Sequence, residues 1–302
     1  MPDSLTEQQA AGLPYREGFL AAQDGLRLYY RDYGDPLSAA TPVLCLAGLT
    51  RNSTDFDTVA PRLAARRRVV TLDYRGRGRS DYDPDWRHYR PEACVADVVQ
   101  LVFSLNLHHF VVLGTSFGGL MGMGLAVFLP AALSGLIMND TGPELAGGGV
   151  DRIMSYVGKD NPQPDWEAAR RATRETFPHL RLRSDADWEL MLRGSFREGP
   201  DGLLHHDWDP AIARPLLESR HAIDLWPYFR AAARRPLLVL RGGESDVLSA
   251  EGLQRMAEAK PDLRQVTVEG VGHTPSLEEA ESREVIDAFL ADIDAGRGVL
   301  HA

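Results

Sequence analysis

Cysteine is scarce in this chain, with two residues among 302. Two thiols cannot form the dense disulfide framework of a small secreted domain. Cys45 lies in the apolar run 42–46, and Cys94 lies in a segment with helical spacing of apolar residues. We expect both to be small buried apolar residues, which is typical of a reducing compartment and predicts a cytoplasmic protein.

Long apolar runs and excess positive charge are also missing. No run reaches the ~18 apolar residues needed to span a bilayer. Residues 1–13 are polar and lack the basic start and apolar middle of a signal peptide. The net charge of −10 disfavours binding to nucleic acid or to an anionic membrane. We therefore expect a small-molecule partner, and the sequence leaves open whether the chain is a monomer or a homodimer.

Short apolar strands alternate with amphipathic helices along most of the chain. The predicted strands are 43–47, 69–74, 110–114, 133–138, 237–240 and 264–268. The predicted helices are 53–65, 91–105, 117–128, 249–258 and 277–290. This alternation predicts an α/β fold with a parallel sheet covered on both faces. A hairpin over 19–33, with Asp24-Gly25 in its turn, should add antiparallel strands at one edge.

The alternation stops between residues 143 and 230. This segment contains eight prolines, helical patterns without a clear strand, and four of the five tryptophans. We predict a helical cap over 143–230, inserted into a discontinuous core domain of residues 1–142 plus 231–302. Both junctions are at strand ends, so the cap should lie above the carboxyl ends of the strands, where open α/β sheets bind ligands.

The segment Gly114-Thr115-Ser116-Phe117-Gly118-Gly119 fits the pattern Gly-x-Ser-x-Gly between a predicted strand and a predicted helix. Such a turn needs almost no side chain two residues before and after its serine. It would expose the Ser116 hydroxyl above the sheet, at the positive end of a helix dipole. Ser116 is therefore the candidate nucleophile.

A serine hydroxyl needs a base, and the base needs a group that orients it. His273 follows the last predicted strand in a glycine-bearing loop, and it is the candidate base. Asp246 follows the strand 237–240 and is the first candidate for the orienting acid. Asp140 is the second candidate and Glu244 the third, and the sequence does not separate them fully.

Two backbone N–H groups are expected to bind the oxyanion of an acyl-transfer reaction. One belongs to Phe117, directly after the nucleophile. We assign the other to Leu49, in the loop after the strand 43–47. We expect Gly48 to permit the bend that turns this N–H inward, and we also assign Gly48 to substrate binding.

With these residues in place, the chain resembles the α/β-hydrolase superfamily, in its group with a helical cap. The resemblance covers nearly the whole length and includes Asp73 to Ser80, Gly114 to Gly119, Asp246 and His273. Ala47 stands where members often carry histidine before Gly48. The resemblance implies a mostly parallel sheet of about eight strands with helices on both faces. It implies hydrolysis of esters, lactones, thioesters, amides or related bonds without a cofactor or a metal.

Three further features have ordinary structural interpretations. The basic run Arg75 to Ser80 matches a turn that shapes a loop after a sheet strand. His205 to Asp209 lack the spacing of metal ligands on one helix face. Aromatic residues of the cap should mostly pack the cap itself, and we assign Trp166, Trp188 and Trp208 to the apolar substrate pocket.

The sequence thus predicts a serine hydrolase that cleaves a carboxylic ester or lactone of a small, largely apolar substrate through an acyl-enzyme. A serine at position 116 argues against dehalogenase and epoxide-hydrolase chemistry, which needs a carboxylate there. A C–C bond hydrolase of the meta-cleavage type, acting on a vinylogous diketone with the same triad, is the alternative. A non-catalytic ligand receptor of this fold is the alternative from a different class.

Overall fold

The computed structural model describes residues 14–177, 180, 182, 184–218 and 223–297. The polar segment 1–13, predicted above not to be a signal peptide, lies outside these residues. So do the last five residues of the predicted core, 298–302.

An eight-stranded sheet forms the centre of the fold. In chain order, the described strands are β1 (Tyr15–Ala21), β2 (Arg27–Tyr33), β3 (Val43–Leu46), β4 (Val69–Leu72), β5 (Phe110–Thr115), β6 (Leu133–Asn139), β7 (Phe196–Glu198), β8 (Leu204–His206), β9 (Leu237–Gly242) and β10 (Arg264–Val268). All of them except β7 and β8 belong to this sheet. The sheet order is β1-β2-β4-β3-β5-β6-β9-β10. The strands β3, β4, β5, β6, β9 and β10 are parallel to one another. The β1–β2 hairpin lies at one edge, where β2 pairs with β4 in the antiparallel direction. The predicted α/β fold class is confirmed.

Helices cover both faces of the sheet. The α-helices that the structure describes, on these faces and in the segment 143–230, are α1 (Val59–Ala64), α2 (Pro91–Ser104), α3 (Phe117–Phe128), α4 (Gly147–Tyr156), α5 (Trp166–Thr176), α6 (Asp185–Arg193), α7 (Arg214–Glu218), α8 (Trp226–Ala232), α9 (Ala250–Ala259) and α10 (Ala280–Asp294). One buried cluster packs α2, α3, α8 and α9 on one face, and a second packs α1 and α10 on the other. Successive residues of β3 join these two clusters alternately, as the two-residue period of a strand requires. The strands are therefore buried on both faces, which explains their continuous apolar runs.

The predicted helix 53–65 is divided in the structure. A short 3-10 helix spans Ser53–Phe56, and α1 begins at Val59. Pro61 accounts for the break, because a proline ring collides with the carbonyl four residues before it in a continuous helix. Pro61 is accommodated in the first turn of α1, where no backbone N–H is needed.

The segment 143–230, here named the insertion, contains helices α4 to α7, the first five residues of α8, and also an antiparallel pair of strands, β7 and β8. The expectation that this segment has no strand was wrong. Each strand has three residues, too few for a period of two to be recognised in the sequence. Among the described residues, no helix is long and apolar enough to cross a membrane.

The insertion lies against the loops that follow β3 and β4. Asn52 Nδ2 donates to the Gly194 carbonyl and to Asp207 Oδ2, both at 3.0 Å. Gly78 N donates to the Asp207 carbonyl at 3.0 Å. These contacts put the insertion at the carboxyl edge of the sheet, as expected. Its division from the core as a separate domain stays a prediction.

Candidate active site

The turn between β5 and α3 exposes Ser116 in a strained conformation. Its φ of 52° and ψ of −113° lie in a region that non-glycine residues rarely adopt. A Cβ at Gly114 would lie 2.4 Å from the Gly118 carbonyl, and one at Gly118 would lie 1.9 Å from the Leu46 carbonyl. Neighbouring backbone therefore leaves no room for a side chain at either glycine, as the Gly-x-Ser-x-Gly pattern suggested.

His273 lies over this turn, in the loop between β10 and α10. The distance from its Nε2 to Ser116 Oγ is 2.9 Å, and its side chain is 10% exposed. The loop passes close to the end of β9, where a Cβ at Gly242 would lie 2.4 Å from the Gly272 carbonyl. The glycines thus let the loop cross the carboxyl edge of the sheet and bring the imidazole to the serine.

Asp140, rather than Asp246, contacts the histidine. Asp140 Oδ2 lies 2.6 Å from His273 Nδ1, and its side chain is fully buried. The carboxylate also accepts hydrogen bonds from Gly242 N at 2.9 Å and from Ser245 Oγ at 2.6 Å. Asp140 follows β6 directly with a φ of 57°, and β6 lies between β5 and β9 in the sheet. The Asp140 carboxylate therefore lies at the carboxyl edge of the sheet, between the end of β5 that carries Ser116 and the end of β9.

The first candidate acid, Asp246, has a different partner, and its expected contact with His273 is corrected by the structure. Arg152 of α4 donates to both Asp246 oxygens, at 2.6 and 2.8 Å. The guanidinium holds the pKa of the Asp246 carboxyl below its usual value. Asp246 lies four residues beyond the end of β9, where the loop has already turned under α4 and Gly149 N donates to its carbonyl. Asp246 therefore connects the insertion to the core.

The backbone N–H groups of Leu49 and Phe117 have no acceptor among the described residues. Both residues lie at the carboxyl edge, one after β3 and the other directly after Ser116. Unpaired donors at this place suit the binding of a developing negative charge.

Gly48 is buried, but the reason given for it above was wrong. It is not among the described glycines with positive φ, and a Cβ there would meet its nearest atom, Arg51 Cγ, at an ordinary 3.4 Å. The bend at Leu49 comes instead from a turn in which Arg51 N donates to the Gly48 carbonyl at 3.1 Å.

The three tryptophans assigned to the pocket have different surroundings. Trp208 is buried in a cluster against which Leu49 packs, and its Nε1 donates to the Val157 carbonyl at 3.1 Å. Trp188 lies between two arginines of α5, and Trp166 lies under Arg193 of α6. Trp208 thus approaches the oxyanion loop, while substrate binding by Trp166 and Trp188 stays a prediction.

Tyr156 at the end of α4 was not found from the sequence, because one tyrosine in an amphipathic helix gives no distinct signal. Its hydroxyl lies near the side chain of Thr50, next to Leu49. Burial raises the pKa of the Tyr156 phenol. The insertion therefore contributes a neutral polar group beside the oxyanion loop.

One described group of side chains has the spacing to hold a cation: Asp24, Asp83 and His88. Arg75 Nη1 already donates to Asp24 and Asp83, at 2.8 and 3.0 Å. A guanidinium thus neutralises the carboxylates that would bind the ion. His205, considered above, lies between Asp160 and Asp201 on the insertion.

The chain is similar to known hydrolases in both sequence and structure. The model of a family described as "Alpha/beta hydrolase family" matches residues 43–288. A 3-hydroxybutyrate-oligomer hydrolase of Cupriavidus necator is 35% identical over 87% of this chain and 92% of its own. An N-formylmaleamate deformylase of Pseudomonas putida is 28% identical over 83% of this chain and 87% of its own. The crystal structure of an alpha/beta hydrolase from Novosphingobium aromaticivorans superposes with a TM-score of 0.84 at 39% identity, covering 92% of this chain and 98% of its own.

Proposed function

Because the chain belongs to the alpha/beta hydrolase family, we propose that it hydrolyses carboxylic esters through an acyl-enzyme formed on Ser116. The observation that carries the proposal is the unbroken series of hydrogen-bond contacts from Ser116 Oγ through His273 to Asp140. A hydroxyl, an imidazole and a buried carboxylate in this order form the arrangement that activates a serine.

In the first half of the reaction, His273 Nε2 takes the Ser116 proton as Oγ attacks the ester carbonyl. The oxyanion that forms is held by the N–H groups of Leu49 and Phe117. The carbonyl then re-forms and the C–O bond to the alcohol breaks, while the imidazolium gives its proton to the departing oxygen. Ser116 is left acylated and the alcohol is released.

In the second half, water replaces the alcohol. His273 takes a proton from water as the hydroxide oxygen attacks the acyl carbon, and the returned proton restores the Ser116 hydroxyl as the acid leaves. Asp140 holds Nδ1–H and stabilises the imidazolium in both halves. The full burial of Asp140 supports this role, because its charge acts on the imidazole with little screening by water.

We further propose that the substrate is a short ester or lactone of a hydroxy acid. The similarity to the 3-hydroxybutyrate-oligomer hydrolase supports an ester bond, because it extends over 92% of that protein. The insertion would act as the cap over such a substrate. Buried Trp208 and half-buried Tyr156 of the insertion, in the cluster against which Leu49 packs, support a small and largely apolar binding surface.

A cytoplasmic location is part of the same proposal. Its support is that both cysteines are free and buried, which is ordinary in a reducing compartment.

The test is a panel of p-nitrophenyl esters, short 3-hydroxybutyrate oligomers, lactones and a vinylogous diketone, assayed with wild type and Ser116→Ala. We expect ester or oligomer turnover in the wild type and a loss of several orders of magnitude in the variant. Turnover of the diketone alone would instead favour the C–C hydrolase. A wild type labelled at Ser116 by a fluorophosphonate but inactive on every substrate would favour the receptor.

A further inference from the structure

Arg77 is a buried cation that the proposed reaction has not used. Its side chain is 0% exposed, and it forms no ion pair with any residue that the structure describes. Its Nη2 has no hydrogen-bond partner there either. Burial holds the pKa of the Arg77 guanidinium below its usual value, although a guanidinium remains protonated at neutral pH. An unpaired buried charge is unfavourable for folding, so its presence calls for a function.

The other two arginines of the same loop have ordinary partners. Arg75 makes ion pairs with three carboxylates, those of Asp24, Asp83 and Asp97. Arg79 is half-exposed and pairs with Glu17. The interpretation of the run as a loop-shaping element fits these two residues and leaves Arg77 unexplained.

Arg77 contacts both residues that carry the oxyanion donors. Its Nε donates to the Leu49 carbonyl at 2.8 Å, and its Nη1 donates to the Arg75 carbonyl at 2.7 Å. Its guanidinium carbon lies 5.9 Å from the centroid of the Phe117 ring. The rings of Tyr74 and Tyr89 lie at the same distance, so aromatic faces partly replace water around the charge.

The bond to the Leu49 carbonyl fixes the peptide that follows Leu49. The peptide that precedes Leu49 is fixed by the bond from Arg51 N to the Gly48 carbonyl. With both neighbouring peptides held, the Leu49 N–H has a set direction. Preorganised donors stabilise a transition state because they need no rearrangement as charge develops.

We propose that Arg77 is a positioning residue of the oxyanion hole, which aims the Leu49 N–H and adds positive potential where the oxyanion forms. The inference rests on the proposed function. Standard backbone dimensions put the guanidinium at most about 10 Å from that oxyanion. At an effective dielectric constant of about 20, a unit charge at that distance changes the rate roughly tenfold. Removing Arg77 also releases the Leu49 N–H from its set direction, which adds to this effect. We expect kcat to fall by roughly 10- to 100-fold in total.

The test compares Arg77→Met, which removes the charge, with Arg77→Lys, which keeps it, and uses Arg79→Met as the matched control. Each protein is assayed for kcat on a p-nitrophenyl ester. Each is also titrated with a trifluoromethyl ketone, which forms an oxyanion with the nucleophile, and with the corresponding ether, which forms none. The ratio of the two inhibition constants measures selectivity for the oxyanion and is insensitive to a general loss of stability.

We expect the selectivity ratio of Arg77→Met to fall about tenfold or more, that of Arg77→Lys to recover much of the loss, and that of Arg79→Met to match the wild type. An unchanged ratio in Arg77→Met, or no recovery in Arg77→Lys, would overturn the inference. Should Arg77→Met not fold, Arg77→Gln supplies the same neutral comparison. A wild type that binds ketone and ether equally and turns over no ester would instead refute the proposed function.

Discussion

Replacing Asp140 with asparagine tests the assignment of the orienting acid. The side chain keeps its shape and an acceptor for Gly242 N, but it loses the charge that faces His273 at 2.6 Å. Opposite unit charges about 4 Å apart interact by about 4 kcal/mol at an effective dielectric constant of about 20. That energy equals about three orders of magnitude in rate. An asparagine amide can also hold the wrong imidazole tautomer, so we expect kcat to fall by roughly 10³- to 10⁴-fold.

The matched control is Asp246→Asn. Asp246 lies on a loop at the same edge of the sheet, but its charge is used by Arg152 and its side chain is 36% exposed. We expect a loss below about tenfold in kcat, since a partly exposed ion pair contributes little. The assay is initial-rate ester hydrolysis, with circular dichroism to verify folding. A large loss in Asp246→Asn together with a mild loss in Asp140→Asn would refute the assignment.

Three other outcomes follow from the structure. Gly118→Ala should lower the melting temperature strongly, because its Cβ would lie 1.9 Å from a carbonyl oxygen, whereas Gly48→Ala should change it little; equal effects would contradict the close approach. Burial raises the pKa of Asp207 to about 7, so the contribution of Asp207 to stability should be lost as pH rises from about 4 to about 7. Asp207→Asn should therefore be no more stable than the wild type at pH near 4 but more stable at pH near 8, and parallel melting curves across that range would argue against a buried protonated carboxyl. Burial raises the pKa of Cys94 to about 11 and also raises the pKa of Cys45. An aromatic disulfide that reacts with thiolates should therefore modify neither cysteine in the native protein and both cysteines after unfolding.

The nucleophile was predictable because its turn needs glycines at a fixed spacing around the serine. A Cβ at Gly114 would meet the Gly118 carbonyl, and one at Gly118 would meet the Leu46 carbonyl of β3, so both positions around Ser116 exclude a side chain and leave a fixed spacing in the sequence. The sheet was predictable for a related reason. Strands covered on both faces are apolar at nearly every position, and this marks them without knowledge of their neighbours.

The acid was not predictable, because its selection depends on directions in space. Asp140 and Asp246 both follow strands that end at the same edge of the sheet. What separates them is the positive φ of Asp140 and the presence of Arg152, which reaches Asp246 from a helix 94 positions earlier in the chain. The proposed role of Arg77 was hidden in the same way, since its contacts join its own loop to the loop of Leu49 and to Phe117, the first residue of α3.

The central claim is that Ser116 becomes covalently acylated with the help of His273. Tandem mass spectrometry of the protein treated with a fluorophosphonate tests it most directly. We predict a single adduct, mapped to Ser116 in the wild type and formed much more slowly in His273→Ala. An adduct on any other residue, or unchanged labelling without the imidazole, would contradict the account.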